Sequence, residues 1–168
     1  MKKETPLKSI DMGKGEVLRE GSDLLILAIG STVYPSLHAA ERLEDHGIHS
    51  AVINSRFLKP LDGDLICDWA KKTGRVVTVE ENVLQGGFGS AVLELFQERG
   101  LFSVPIKRLG IPDLFVEHGS QSLLRSKYGI DENGIFKEII KIFDQEGCGP
   151  FLRSRQEIPT KNLSPHVK

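Results

Sequence analysis

The residue types that could do chemistry gather in one stretch, Val76 to Ser90. There a β-branched run ends at two carboxylates, Glu80 and Glu81, and the loop Gly86-Gly87-Phe88-Gly89 opens a helix. In an open α/β sheet, loops leaving the carboxyl ends of strands are where ligands and partner domains meet. Adjacent carboxylates act as acid and base when desolvation raises one pKa. Successive strand residues point to opposite faces, however. A solvated strand end or an interface hydrogen bond is therefore the commoner outcome for such a pair. The loop reads G-x-G-x-x-V over 87–92, without the third small residue of a dinucleotide fingerprint. Lys107 and Arg108 stand where a ribose-binding acid would be needed. These glycines are expected to allow a tight turn and a close backbone approach, such as one to another subunit.

Arg56 is the second candidate. It follows a buried strand at the same sheet edge, with apolar Phe57 and Leu58 beside it. A guanidinium there can hold a phosphate bidentately, a geometry lysine cannot copy. From position alone, a structural ion pair is the more frequent fate of such an arginine. The histidines 38, 46, 49, 118 and 166 show no H-x-x-x-H or H-E-x-x-H spacing, so no zinc motif is present. His38 and His46 fall on a helix surface. Cys67 and Cys148 lack metal-type spacing, and Cys67 reads as a small core residue. No nucleophile elbow and no cysteine–histidine arrangement occurs. These residues assemble no active site by themselves.

The elements that position them alternate as strand and helix, the pattern of an α/β layer fold. Strands are expected at 15–20, 24–29, 51–54, 75–80 and 104–109. The run Leu24 to Ile29 is apolar throughout, as in a strand buried on both faces. One helix carries Leu37, Ala40 and Leu43 on one side and ends at Gly47, a left-handed cap. A second starts at the N-cap Asp62, with Asp64 early and Lys71 and Lys72 late, matching the helix dipole. Further helices are expected over 88–99, 120–128 (N-cap Ser120) and 131–143, the last with Ile135, Ile139, Ile142 and Phe143 at helical spacing. Residues 147–168 hold three prolines and no periodicity and read as a mobile tail.

With 168 residues and 39% hydrophobic content, the chain can build one substantial core. A net charge of −1 provides no overall basic field toward nucleic acid or anionic membrane. No apolar run approaches the length of a membrane span, and the first residues lack the apolar core of a secretory signal. The expected location is the cytoplasm.

Several runs then occur in a family's order: Gly13-Lys14-Gly15, 24–30, Asn54-Ser55-Arg56-Phe57-Leu58-Lys59-Pro60-Leu61-Asp62, Val77-Thr78-Val79-Glu80-Glu81-Asn82, Gly86-Gly87-Phe88-Gly89-Ser90, Leu109-Gly110-Ile111-Pro112-Asp113, Glu117-His118-Gly119 and Tyr128-Gly129-Ile130-Asp131. Over about 13–143 the chain resembles the C-terminal domain of 1-deoxy-D-xylulose 5-phosphate synthase, a relative of transketolase. The R-F-x-K-P-L-D and G-[IL]-P-D runs favour the synthase over transketolase proper.

The resemblance implies a three-layer α/β/α fold with a mixed, mostly parallel five-stranded sheet, one strand antiparallel. It implies that the whole enzyme condenses pyruvate with D-glyceraldehyde 3-phosphate, releasing carbon dioxide and supplying isoprenoid, thiamine and pyridoxal pathways. Its cofactors are thiamine diphosphate and magnesium, and the family is homodimeric. The cofactor-binding G-D-G motif and the catalytic glutamate belong to N-terminal and central domains that this chain lacks. Neither cofactor is therefore expected to bind this domain alone, and the isolated chain is expected to be inactive. Glu80 and Glu81 are not that catalytic glutamate. The family arginine that maps here is Arg56, expected to hold the substrate phosphate, and the resemblance moves that role ahead of the ion pair.

The expected organisation is a linker at 1–14, the domain at 15–145 and the tail at 146–168. Expected partners are the other domains of the same enzyme, a second copy and small substrates, with no nucleic acid and no membrane. Two alternatives stay open. The chain can be a free-standing, non-catalytic binding or assembly module, or the corresponding domain of another transketolase relative such as a 2-oxo acid dehydrogenase β-subunit.

Overall fold

A computed structural model of the chain describes residues 9–145. The tail predicted over 146–168, with Cys148 and His166, lies outside these described residues. Five strands form one sheet: β1 (Glu16–Arg19), β2 (Leu24–Ala28), β3 (Ser50–Asn54), β4 (Val76–Val83) and β5 (Ile106–Ile111). Their spatial order is β1-β3-β2-β4-β5, with β1 antiparallel to β3 and every other pair parallel. The expected mixed, mostly parallel sheet with one antiparallel strand is the observed one, and that strand lies at its edge.

Helices α1 (Val33–Glu44), α2 (Gly63–Thr73), α3 (Phe88–Glu98), α4 (Gln121–Lys127) and α5 (Glu132–Gln145) complete the fold. Alternation along the strands divides the core into two layers. Leu24, Ile26, Val77 and Val79 pack with Ala40 and Leu43 of α1 and Ile135 and Ile139 of α5. Leu25, Leu27, Val76 and Ile53 pack with Ile66 and Ala70 of α2 and Phe88 and Val92 of α3. All five residues of β2 are buried, as its uninterrupted apolar run demands. Each large side chain so buried contributes about 1.5–3 kcal/mol relative to exposure.

The helix termini follow local chemistry. Asp62 accepts the backbone N–H of Leu65 at the start of α2, and Ser120 accepts that of Leu123 at the start of α4. Gly47 and Gly74 adopt φ of 73° and 71° after their helices, the left-handed region that glycine enters without strain.

Two strands run farther than the sequence suggests. β4 continues past Glu80 to Val83, and β5 passes through Gly110 to Ile111. Their pairing is regular to Val79–Leu109, then resumes at Val83–Ile111 after an irregularity. A bulge of this kind re-aims side chains without ending the ladder, and Glu80 and Glu81 lie within it.

Candidate functional site

The connection β2–α1–β3 leads to one side of β2, whereas the connection through α2 brings β4 to the other. The carboxyl ends of β2 and β4 thus flank the topological switch point, where open α/β sheets bind ligands. A threonine after β2 ties the two strand ends together there. Thr32, fully buried in the 3₁₀ turn Gly30–Thr32, has its hydroxyl 2.9 Å from the carbonyls of both Ile29 and Val79, which share its single proton.

Glu80 and Glu81 part company at this edge. Glu80 is 0% exposed, and its carboxylate accepts the N–H groups of Phe88 at 2.6 Å and Gly89 at 2.8 Å. It satisfies two orphan donors at the start of α3, where a negative charge also complements the helix dipole. The expectation of a solvated strand end or an intersubunit hydrogen bond is therefore corrected for Glu80. Long-range pairing carried β4 onward, so the carboxylate falls under the glycine loop. The loop's close approach is also internal. A Cβ on Gly89 would meet Thr78 Oγ1 at 2.6 Å and Arg108 Cδ at 2.8 Å. Arg108 in turn donates to the Leu84 carbonyl at 2.8 Å and to Ser90 Oγ at 3.0 Å, tying β5 to the loop.

Glu81 points to the opposite side and meets Arg125 of α4, with Nε at 2.5 Å from its carboxylate. Burial pushes the Glu81 carboxyl up. Hydrogen bonds from Ser31 and Arg125 and the guanidinium charge outweigh that push and hold it below the usual carboxylate range. This pair forms the polar wall of a recess of about 210 Å³ whose other sides include Ile111, Val116, Leu124 and Ile130. Nothing in the spacing of Ser31, Glu81 and Arg125 signals this meeting, and sequence reasoning missed it.

Arg56 sits just beyond β3. Its φ is 55°, the one left-handed non-glycine backbone among the described residues, and its N–H donates to Asn54 Oδ1 at 3.1 Å. The guanidinium pairs with Glu16 of β1, the residue opposite Asn54 in the ladder. Its side chain stays 26% exposed. At the other end of the same motif, Asp62 accepts the N–H of Gly15 at 3.1 Å and faces Lys14 Nζ at 3.5 Å. Gly13 packs so closely on Pro60 that a Cβ would lie 2.7 Å from its Cγ. The run from Arg56 to Asp62 therefore grips β1 and the residues before it at both ends. The Lys59–Pro60 peptide between them is cis.

The glycine loop ahead of α3 does not fit the diphosphate of thiamine diphosphate. The start of α3, the helix terminus that the glycine loop offers to a diphosphate, is already filled by the Glu80 carboxylate. Among the described residues no group of three or more His, Cys, Asp or Glu could hold a metal ion. Cys67 is buried, and burial pushes its thiol up, away from the reactive thiolate. His38, His46, His49 and His118 are exposed and do not converge. No helix of the described residues is long and apolar enough to cross a membrane.

Comparison with known proteins gives a consistent result. The family model for the transketolase C-terminal domain matches residues 13–135. The chain is 59% identical over 126 residues to a 1-deoxy-D-xylulose-5-phosphate synthase of Geobacter metallireducens, covering 75% of this chain and 20% of that protein. It is 50% identical over 137 residues to the synthase of Desulfotalea psychrophila, covering 82% of this chain and 21% of that one. The chain thus spans about a fifth of the length of these relatives. Among solved structures it is similar to a split-gene transketolase in an inactive β4 tetramer. The TM-score is 0.73 and the identity 37%, over 79% of this chain and 43% of that one. Sheet order, motif placement and these matches agree: the chain belongs to the transketolase C-terminal domain family and corresponds to the C-terminal region of 1-deoxy-D-xylulose-5-phosphate synthases.

Proposed function

We propose that this chain is the C-terminal domain of a thiamine-diphosphate- and magnesium-dependent synthase acting in the cytoplasm. That enzyme joins pyruvate to D-glyceraldehyde 3-phosphate, giving 1-deoxy-D-xylulose 5-phosphate and carbon dioxide for isoprenoid and thiamine synthesis. The observation that carries this reading is 59% identity to a synthase of that name across three quarters of the chain. Both cofactors would be held by segments outside it, since the α3 terminus is spent on Glu80.

The domain's own contributions are positioning and assembly. Arg56 keeps a partly exposed guanidinium at the carboxyl edge of the sheet, and its pairing with one carboxylate leaves N–H donors for a substrate phosphate. A phosphate handle remote from the reacting carbonyl lets binding energy orient the aldehyde. At the same edge Leu114, Phe115 and Val116 are exposed, Phe115 fully. An apolar stretch of this kind supports docking onto the remaining domains or a second copy of the enzyme. The similar split-gene transketolase is described as inactive in its β4 form, which supports reading this chain as inactive by itself.

The test is an assay of the purified chain with both substrates, thiamine diphosphate and magnesium. No product is expected. Turnover by the chain alone would overturn the reading. In the full-length enzyme, Arg56→Ala should raise the KM for glyceraldehyde 3-phosphate by about tenfold or more, the worth of a charge-assisted hydrogen bond. Pyruvate's KM should barely move, and equal effects on both substrates would exclude a phosphate role.

A further inference from the structure

At the far edge of the sheet from β1, a groove of about 440 Å³ lies between β5 and the outer face of α5. Its walls carry four lysines, Lys107, Lys127, Lys137 and Lys141, against two carboxylates, Asp131 and Glu138. Lys127 pairs with Glu117 at 2.6 Å beyond the lining, which leaves the groove a modest positive excess in a chain whose net charge is −1. Both carboxylates are engaged. Asp131 accepts the N–H of Gly134 at 2.8 Å, and Glu138 is shared between Lys141 and Lys107, the latter at 3.6 Å. Lys137 has no carboxylate partner among the described residues. Positions 137 and 141 are neighbours on one helix face, so the unpartnered ammonium stands beside the pair that Glu138 holds. Bare backbone lines the groove between them. Gly110, Gly129 and Gly134 border it, and α5 meets Gly129 so tightly that a Cβ on Gly134 would lie 2.4 Å from its Cα. These glycines set the close packing of β5 and α5 around the groove, and the ammonium groups on its rim add to one attractive field.

We infer that this groove binds a small anion carrying more than one phosphate charge, at a site separate from Arg56. Three strand spacings separate β3 from β5, roughly 15 Å, so one small anion cannot serve both places. The ammonium groups supply point-charge contacts, with Lys137 and Lys141 on the helix side and Lys107 on the strand side. The inference does not depend on the proposed synthase reaction.

Inorganic pyrophosphate titrated into the isotope-labelled chain at low salt, followed by NMR, is the test. Saturable shifts are expected at the amides of Gly110, Gly129, Gly134 and Lys137. Lys137→Ala and Lys141→Ala should each weaken binding by about tenfold, the loss of one charge-assisted contact. Glu138→Gln should tighten it by about fivefold, since it removes a repelling charge and frees Lys107 and Lys141 from their shared carboxylate. All three are substitutions on an exposed helix face and leave the core intact. Arg56→Ala should change nothing here, so a failed phosphate role for Arg56 and a failed groove are told apart. Absence of saturable shifts, or unchanged affinity in Lys137→Ala, would overturn the site. An oligonucleotide that binds the groove and is not displaced by pyrophosphate would overturn the small-anion assignment.

Discussion

Gly87 lies so close to Glu80 that a methyl group in place of its hydrogen would stand 2.2 Å from the carboxylate Oε2. The same methyl would lie 2.4 Å from the Val83 carbonyl. The backbone of Gly87 is extended, with φ of −83°, so the need for glycine is one of space and not of conformation. Gly87→Ala must therefore displace the carboxylate that caps α3. The expected loss is about 2–4 kcal/mol, combining overpacking with two weakened buried hydrogen bonds. Urea unfolding of the variant measures it. A change below about 0.5 kcal/mol, the range of neutral surface substitutions, would show that the cap can move freely.

Asp62 joins two elements through one carboxylate, accepting from Leu65 N–H within α2 and from Gly15 N–H ahead of β1. Asp62→Ala removes an N-cap worth about 1 kcal/mol and also releases the residues before β1. Hydrogen exchange should quicken at Gly15 and along β1 as well as at the start of α2. Quickening confined to α2 would reduce Asp62 to a helix cap.

Arg56 and Glu16 offer a way to separate a structural ion pair from a substrate contact. Glu16→Gln keeps the shape of the partner and removes its charge. Should the pair be purely structural, Glu16→Gln and Arg56→Ala would share one small stability loss, about 0–1 kcal/mol for partly exposed partners, and neither would alter kinetics. A phosphate-holding Arg56 predicts divergence. In the proposed full-length synthase, Glu16→Gln should free the guanidinium and leave the phosphorylated substrate's KM equal or lower, whereas Arg56→Ala should raise it.

Glu81 anchors α4, a helix that buries none of its own residues completely. Its carboxyl titrates below the reference value of 4.5 in the folded state. The stabilisation is accordingly complete above about pH 4.5 and is lost as pH falls through the lower folded-state pKa. Glu81→Gln lacks this loss. The gap in urea midpoint between the native chain and the variant should be wider at pH 7 than at pH 3. A gap independent of pH would mean that the pairing with Arg125 contributes no charge-dependent stability. Arg125→Ala should also quicken exchange over 121–127 while leaving α5 protected.

Local signals in the sequence match the structure where local physics decides them. The apolar run of β2, the caps Asp62 and Ser120, the glycine stop after Lys72 and Thr73, and the exposed helix face of His38 all follow from neighbours within a few positions, whereas His46, expected on the same helix, is exposed in the turn after Glu44. The antiparallel β1 came with the family resemblance, because four residues that alternate between exposed and half-buried carry no signature of strand direction. What stayed illegible was set by pairing across the sheet. β4 and β5 outrun their apolar stretches because each completes the other's hydrogen bonds, and that carries Glu80 beneath Gly87 and Gly89. The contacts Arg125–Glu81 and Arg56–Glu16 join residues 44 and 40 positions apart, beyond any periodic pattern.

The grip of the Arg56–Asp62 run on β1 has a mechanical consequence. Gly13 seated on Pro60, Gly15 bonded to Asp62 and Glu16 paired with Arg56 tie the chain leading into β1 to the Arg56–Asp62 run at three successive points. A body attached upstream would meet a strut rather than a hinge. Its tilt would be felt at Arg56 within a few residues of the junction, so the orientation of one domain and the aim of that guanidinium would be adjusted by the same lever.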